Sequence, residues 1–236
     1  MKNIMTKLIL LILAIFGVVM GSMLWAKKPL PTIQVTPMEV QETIVFAAGC
    51  FWGVEKHFDH FDGVVSAESG YVGGNYENPT YDDVLKYRNL GANSKIVNYT
   101  EGVKVIYDTR RVDALTLIKS FWELHNATQR NGQGNDIGNN YRSALFFTNE
   151  AQKKVAFETK KAYQRLLTTA GYSKIVTEIK PLVKFYNAEG YHQDYLAKNP
   201  FGYCPNHATG VKFKKEMKEV VIVKPLGGKE IIVISS

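Results

Sequence analysis

The chain is 236 residues long, 45% hydrophobic and 22% charged, with two cysteines and a formal net charge of +7. That length buries one substantial core, and the composition excludes a disordered chain, a collagen-like repeat, a disulfide-dense mini-scaffold and a polytopic membrane protein. The charge sits on the ends: residues 1–40 hold four lysines against Glu39 and residues 212–236 six lysines against three glutamates, so the centre is nearly neutral and no nucleic-acid partner is expected.

Residues 8–26 form a run of 19 without a charge, flanked by Lys2, Lys7, Lys27 and Lys28. A basic start followed at once by a Leu/Ile-rich run reads as an export signal or a single membrane anchor over residues 1–26, in preference to a buried core helix. A cleaved signal is preferred to a retained anchor, and both place the remainder outside the cytoplasm: periplasmic or secreted, touching a membrane only through the N-terminal segment. Pro29, Pro31 and Pro37 make 27–41 an extended linker.

Strands and helices then alternate over 42–211. Residues 43–48 read as a strand, and Phe51, Val54, Phe58 and Phe61 place one apolar stripe on a helix beginning near Cys50. Tyr71 to Gly74 reads as loop, 79–87 as a short helix and 102–107 as a strand. Asp113 caps a helix with a wide apolar face that includes Leu117, Phe121 and Trp122. A Gly/Asn-rich loop over 130–140 leads to a strand at 143–148 and to the longest helix, after Asn149, with Val155, Ala162 and Leu166 inward. Short β-runs at 176–179 and 183–186, a short helix over 190–198 and coil complete this domain. Two β-branched runs at 220–223 and 231–234 predict a hairpin in a C-terminal extension, 212–236. The class is α+β: a two-layer α/β sandwich with a mixed central sheet, a ferredoxin-like core and a coil-rich C-terminal segment. No Walker or dinucleotide fingerprint is present.

Cys50 lies in Gly49-Cys50-Phe51-Trp52-Gly53, at the junction of a strand and a helix. A sulfur in the first turn of a helix meets unpaired backbone N–H groups, which favour thiolate over thiol. Phe51 and Trp52 can wall an apolar pocket beside it. In isolation a cysteine is more often buried and inert; the five-residue context reverses that preference.

This pentapeptide after a β-run resembles the signature of the A-type peptide-methionine (S)-S-oxide reductases. The resemblance continues through Gly70-Tyr71-Val72-Gly73-Gly74, Asn78-Pro79-Thr80-Tyr81, Phe121-Trp122-Glu123-Leu124-His125-Asn126-Ala127-Thr128-Gln129, Gln133-Gly134-Asn135-Asp136-Ile137-Gly138, Tyr141-Arg142-Ser143-Ala144, Tyr191-His192-Gln193-Asp194-Tyr195-Leu196 and Gly202-Tyr203-Cys204. It covers residues 43–204. It implies Cys50 as nucleophile, Glu101 as an acid holding its proton through desolvation, and Tyr71 and Tyr141 as donors to the sulfoxide oxygen. Asp136 would position the substrate or the tyrosines, while Phe51 and Trp52 would hold the methyl group. Cys204 would resolve a Cys50 sulfenic acid to a disulfide, which an external thioredoxin-like dithiol reduces; a permanent structural disulfide is the alternative. The implied substrates are oxidised proteins and free methionine sulfoxide, taken as the S-epimer by a monomer with no bound cofactor or metal.

The chain departs from the pattern between Asp83 and Glu101, where the segment is longer and Tyr99 stands where the family carries His. Two other readings use the same residues. A cysteine hydrolase would take His125 or His192 as base, although an isolated helical His is more often a hydrogen-bonded core residue. A secreted binding domain closed by one disulfide is the non-enzymatic alternative. His57 and His60 share a helix face without a matching ligand pair, so a surface reading is preferred to a metal site.

Overall fold

The computed structural model describes residues 40–91, 93–203 and 205–213, and the backbone of 220–223 and 231–234. The expected leader, the linker up to residue 39 and Cys204 lie outside the described residues. Within them no helix is long and apolar enough to cross a membrane.

A mixed six-stranded sheet is built from β1 (Gln41–Ala47), β2 (Val64–Val72), β3 (Thr100–Asp108), β6 (Ala144–Phe147), β7 (Glu178–Pro181) and β8 (Phe185–Asn187), in the order β7-β6-β1-β3-β2-β8. All neighbours are antiparallel except β6 and β7. Period-2 alternation divides β1 between the faces: Ile44 and Phe46 enter the main core, whereas Val45 and Ala47 join Val72, Ala144 and Phe146 in a smaller cluster under Leu182 and Phe185. Tyr71, expected in a loop, lies in β2, a strand of nine residues, directly opposite Glu101 of β3.

Helices α1 (Phe51–Asp59), α3 (Ala114–Leu124) and α4 (Glu150–Thr169) supply the main-core side chains that meet this sheet. Phe46 is fully buried, its ring stacked on Phe58 of α1 at 4.6 Å and on Phe121 of α3 at 5.1 Å. Phe46→Ala therefore opens a void at the point where sheet and helices meet, and a loss of about 3–5 kcal/mol is expected in denaturant unfolding. The Trp122 indole donates to Thr159 Oγ1 at 2.9 Å, joining α3 to α4. Side-chain caps start three helices: Asp113 accepts from Thr116, Asn149 from Gln152, and Thr80 forms a reciprocal capping box with Asp83 at α2 (Tyr81–Lys86). In the longest helix the buried set is Gln152, Ala156, Thr159, Ala162, Tyr163 and Leu167; Val155 and Leu166 lie at its edge.

The Gly/Asn-rich segment is more ordered than a loop. It forms a two-residue antiparallel ribbon, β4 (Gly132–Gln133) and β5 (Asp136–Ile137), followed by a 3-10 turn, Asn139–Tyr141. Gln129 exchanges two hydrogen bonds with Gly134, and Gln133 two with Asn126. The short helix α5 spans Tyr195–Lys198, half of what was expected. β9 (Val220–Val223) and β10 (Ile231–Ile234) pair antiparallel as a separate two-stranded sheet.

Candidate active site

The chain leaves β1 through Gly49, whose φ of +94° an L side chain rarely adopts and whose missing Cβ leaves room for Gln133. That reversal sets Cys50 at the N-cap of α1, where it makes no side-chain cap hydrogen bond. The first amide of the helix, Phe51 N–H, donates to Glu101 Oε2 at 3.1 Å. The strand end, the helix start and β3 thereby bring the thiol and the carboxyl together.

Glu101 is only 2% exposed. Burial pushes its pKa up from 4.5 to about 8, opposed by the Phe51 N–H and by the Asn140 amide, and Asp136 adds to the rise. At neutral pH the carboxyl carries its proton. The thiol moves the same way, against the expectation of an activated thiolate. The N–H groups of Trp52 and Gly53 do favour the anion, but burial, then the Glu101 charge, outweigh them and hold the Cys50 thiol well above its usual range. The helix start still favours the thiolate here, but desolvation is the larger effect.

Three tyrosines approach this pair, and they divide. The Tyr71 hydroxyl donates to Glu189 Oε2 at 2.6 Å, while Glu189 Oε1 accepts the Tyr81 N–H at 2.9 Å. Glu189 is therefore a brace between β2 and α2. Tyr81 and Tyr141 both interact electrostatically with Glu101 and with Cys50, and among the described residues no hydroxyl bond to another side chain claims either. Burial, then the Glu101 charge, lifts Tyr81 to about 12 and Tyr141 further, so both hydroxyls remain donors.

Tyr81 closes the Asn78-Pro79-Thr80-Tyr81 motif, which by itself assigns it no role. The usable signal was its place as first residue of a helix capped by Thr80, which fixes where the ring leaves the backbone. Glu189 was missed because an acid three residues before His192 has no signature of its own.

Phe51 and Trp52 meet a ring cluster. Trp52 stacks on Tyr195 at 3.7 Å, and its indole N–H donates to His192 Nδ1 at 3.1 Å. His192 also packs on Phe51 and Tyr81. Its Nδ1 is thus used as an acceptor, and burial lowers its pKa, so it orients the indole. His125 is fully buried in α3's end, bonded to the Phe121 carbonyl and Ser143, which leaves it no route to act as a base for Cys50. His57 is less exposed than a surface reading supposes: it bonds Ser120 Oγ at 2.7 Å.

Asp136, on β5, accepts from the Tyr203 hydroxyl at 3.1 Å and lies 3.5 Å from His207 Nε2. Tyr203 and His207, on either side of residue 204, were not singled out in the sequence. A cavity of about 290 Å³ opens at Cys50, bounded by Val54, His57, Leu124 and residues 205–207.

A cysteine, a buried protonated carboxyl and two hydroxyl donors gathered beside an aromatic wall define a thiol-dependent oxidoreductase site. The peptide methionine sulfoxide reductase family model matches residues 42–221. Peptide methionine sulfoxide reductase MsrA of Vibrio cholerae is 44% identical over 182 residues, covering 77% of this chain and 82% of its relative. A Caulobacter vibrioides enzyme of the same name, MsrA 1, is 48% identical over 170 residues, covering 72% and 75%. Among solved structures, methionine sulfoxide reductase A of Corynebacterium diphtheriae is 40% identical with a TM-score of 0.65, covering 74% of this chain and 82% of that one. Reduced Mxr1 of Saccharomyces cerevisiae is 31% identical with a TM-score of 0.63, covering 78% and 98%. The chain belongs to the peptide methionine sulfoxide reductase family: it is an oxidoreductase that returns methionine sulfoxide to methionine and so repairs oxidised protein.

Proposed function

We propose that this enzyme reduces the S-epimer of methionine sulfoxide, free or in proteins, through a sulfenic acid on Cys50, and that it does so outside the cytoplasm. The observation that carries the chemistry is the Glu101 carboxyl, buried, protonated near neutrality and bonded to the first amide of the helix that Cys50 caps. The Cys50 sulfur attacks the sulfoxide sulfur while Glu101 protonates the sulfoxide oxygen, and the thiol proton returns to the carboxyl. The oxygen passes to Cys50, which becomes a sulfenic acid, and the sulfoxide sulfur gains the electron pair and leaves as thioether. Tyr81 and Tyr141 hold the oxygen as charge develops on it. Tyr71, its hydroxyl committed to Glu189, supports rather than donates. Phe51 and Trp52 take the methyl group, and Asp136 positions the substrate.

Cys204 then condenses with the sulfenic acid, releasing water and forming a Cys50–Cys204 disulfide. A thioredoxin-like dithiol reduces it, becoming a disulfide itself. The family resemblance supports the epimer, the resolving cysteine and the monomeric, cofactor-free state; the leader over 1–26 supports export. The order β6-β1-β3-β2, joined by α1 and α3, supports the ferredoxin-like reading of the core.

The reduced chain, offered the two epimers separately without reductant, is expected to release one methionine per enzyme from the S form and none from the R form. Equal use of both overturns the epimer assignment. Cys204→Ser is expected to keep this first turnover and to lose nearly all repeated turnover with a thioredoxin-type reductant. Full repeated turnover removes the resolving role.

A further inference from the structure

The two elements that carry the free site hydroxyls are tied to a single side chain. Asn98 is 3% exposed and lies in the lengthened segment between α2 and β3. Its amide nitrogen donates to the Val84 carbonyl at 2.8 Å, within the helix that begins at Tyr81, and to Asn139 Oδ1 at 2.7 Å, in the 3-10 turn that ends at Tyr141. Its oxygen accepts the Tyr76 hydroxyl at 2.9 Å. All the hydrogen-bonding capacity of the amide nitrogen is spent on these two contacts.

Asn139 closes the other side. Its N–H donates to the Arg88 carbonyl at 2.8 Å, and its side-chain nitrogen to the Tyr87 carbonyl at 3.1 Å, both just past the end of α2. Between helix and turn the described residues form no ladder; one backbone bond, from Asn139 to Arg88, and these side-chain contacts set their separation. From β3 the turn is held by Thr100, whose hydroxyl donates to the carbonyls of Asn140 and Arg142, and by Glu101, whose carboxyl meets the Asn140 amide.

We propose that Asn98 is a positioning residue that fixes the spacing of the Tyr81 and Tyr141 hydroxyls across Cys50 and Glu101, so that both reach one sulfoxide oxygen at once. The inference rests on the reductase reading above and deepens it. An oxyanion-type site depends on where its donors stand, and a displacement of an ångström costs rate rather than binding. The segment that departs from the family pattern thus has a task in this chain: its end supplies the amide that clamps the two donors.

The test is a double-mutant cycle on the reduced full chain, read as single-turnover rate at saturating S-sulfoxide, as half-saturating concentration, and as thermal midpoint. Asn98→Ala is expected to slow the turnover about tenfold and to change half-saturation less than about twofold. In a Tyr141→Phe background the further loss is expected to shrink below about threefold, because the misplaced group is already absent. Equal losses in both backgrounds, a loss confined to half-saturation, or no loss overturns the proposal. Asn139→Ala, at a half-buried partner, is put through the same cycle and decides by the same criterion if Asn98→Ala does not fold. If Tyr141→Phe by itself leaves the rate unchanged, the hydroxyl assignment fails and this inference with it; if it slows the rate while the asparagine losses multiply, this inference alone fails.

Discussion

Cys50→Ser is expected to produce no methionine from either epimer, in one turnover or many, while the chain becomes more stable. The two halves have one origin. A serine oxygen cannot take up the sulfoxide oxygen as the cysteine sulfur does in becoming a sulfenic acid, so the loss is complete and not a slowed rate. Yet position 50 is an N-cap, its backbone at φ −53° and ψ 121°, and the native cysteine makes no side-chain cap bond there. Serine is among the preferred residues at that position, and the cap it supplies is worth about 1 kcal/mol. Thermal unfolding of the reduced proteins, beside methionine release per enzyme, checks both. Stoichiometric methionine from the serine variant would remove the oxygen-transfer mechanism. A lower midpoint would mean that the sulfur, in its buried place beside the Trp52 and Gly53 N–H groups, packs better than a hydroxyl does there. A cap position has been given to a residue that caps poorly because the reaction needs sulfur at that point.

Glu101→Gln is expected to slow the first turnover by about 10²–10⁴-fold, the range a positioned general acid supplies. Its effect on pH dependence is more diagnostic than its size. The native carboxyl titrates at about 8, so the single-turnover rate should be flat through neutrality and fall as pH rises through that value. The Cys50 thiol offers no compensation on the alkaline side, because an ionised Glu101 raises it further. The glutamine variant should lose this fall.

Stability follows with a definite sign. The folded carboxyl holds its proton up to about 8, whereas the ordinary value is 4.5. Between these values the folded state binds a proton that the unfolded chain has released, so stability is highest below the lower value and declines as pH rises through the upper one. Chemical denaturation across pH 5–9 should show that decline in the difference between the native chain and Glu101→Gln, since His57, His125 and His192, whose pKa values burial lowers, add stability with rising pH in both. A native-minus-variant difference that rises over this window would contradict a buried, neutral Glu101.

The sequence was readable where one interaction decides the local structure. The stripe of Phe51, Val54 and Phe58 put α1 within a residue of its place, and Asp113 and Asn149 marked their helix starts because a cap is a local hydrogen bond. β2 was not readable for a physical reason: from Ser69 to Val72 it is covered on both faces, so it shows no alternation there, and Ser69 and Gly70 dilute its apolar character. Gly70 is there because β8 and the Phe185 ring come too close for any Cβ. Tyr71 and Glu101 share a face through cross-strand register, a relation no spacing along the chain reveals.

The thiol is the instructive error. A helix start and a buried setting push a cysteine in opposite directions, and only the surroundings of the sulfur decide between them. The same holds for the tyrosines: all are quoted in motifs, but which hydroxyl is free depends on Glu189, a residue more than a hundred positions from Tyr71.

The place of β1 also bears on how the molecule comes into being. Among the described residues it is the first strand to be synthesised, and it is an interior strand of the six-stranded sheet, flanked by β3 and β6. Its partners follow about 60 and about 100 residues later, so an apolar strand with two unpaired edges waits until most of the chain has emerged. Under the export proposed above, such a segment, threaded through a membrane as an extended polypeptide, is an aggregation hazard that a holding chaperone would have to cover, and the repair enzyme would itself be a client before it could serve any.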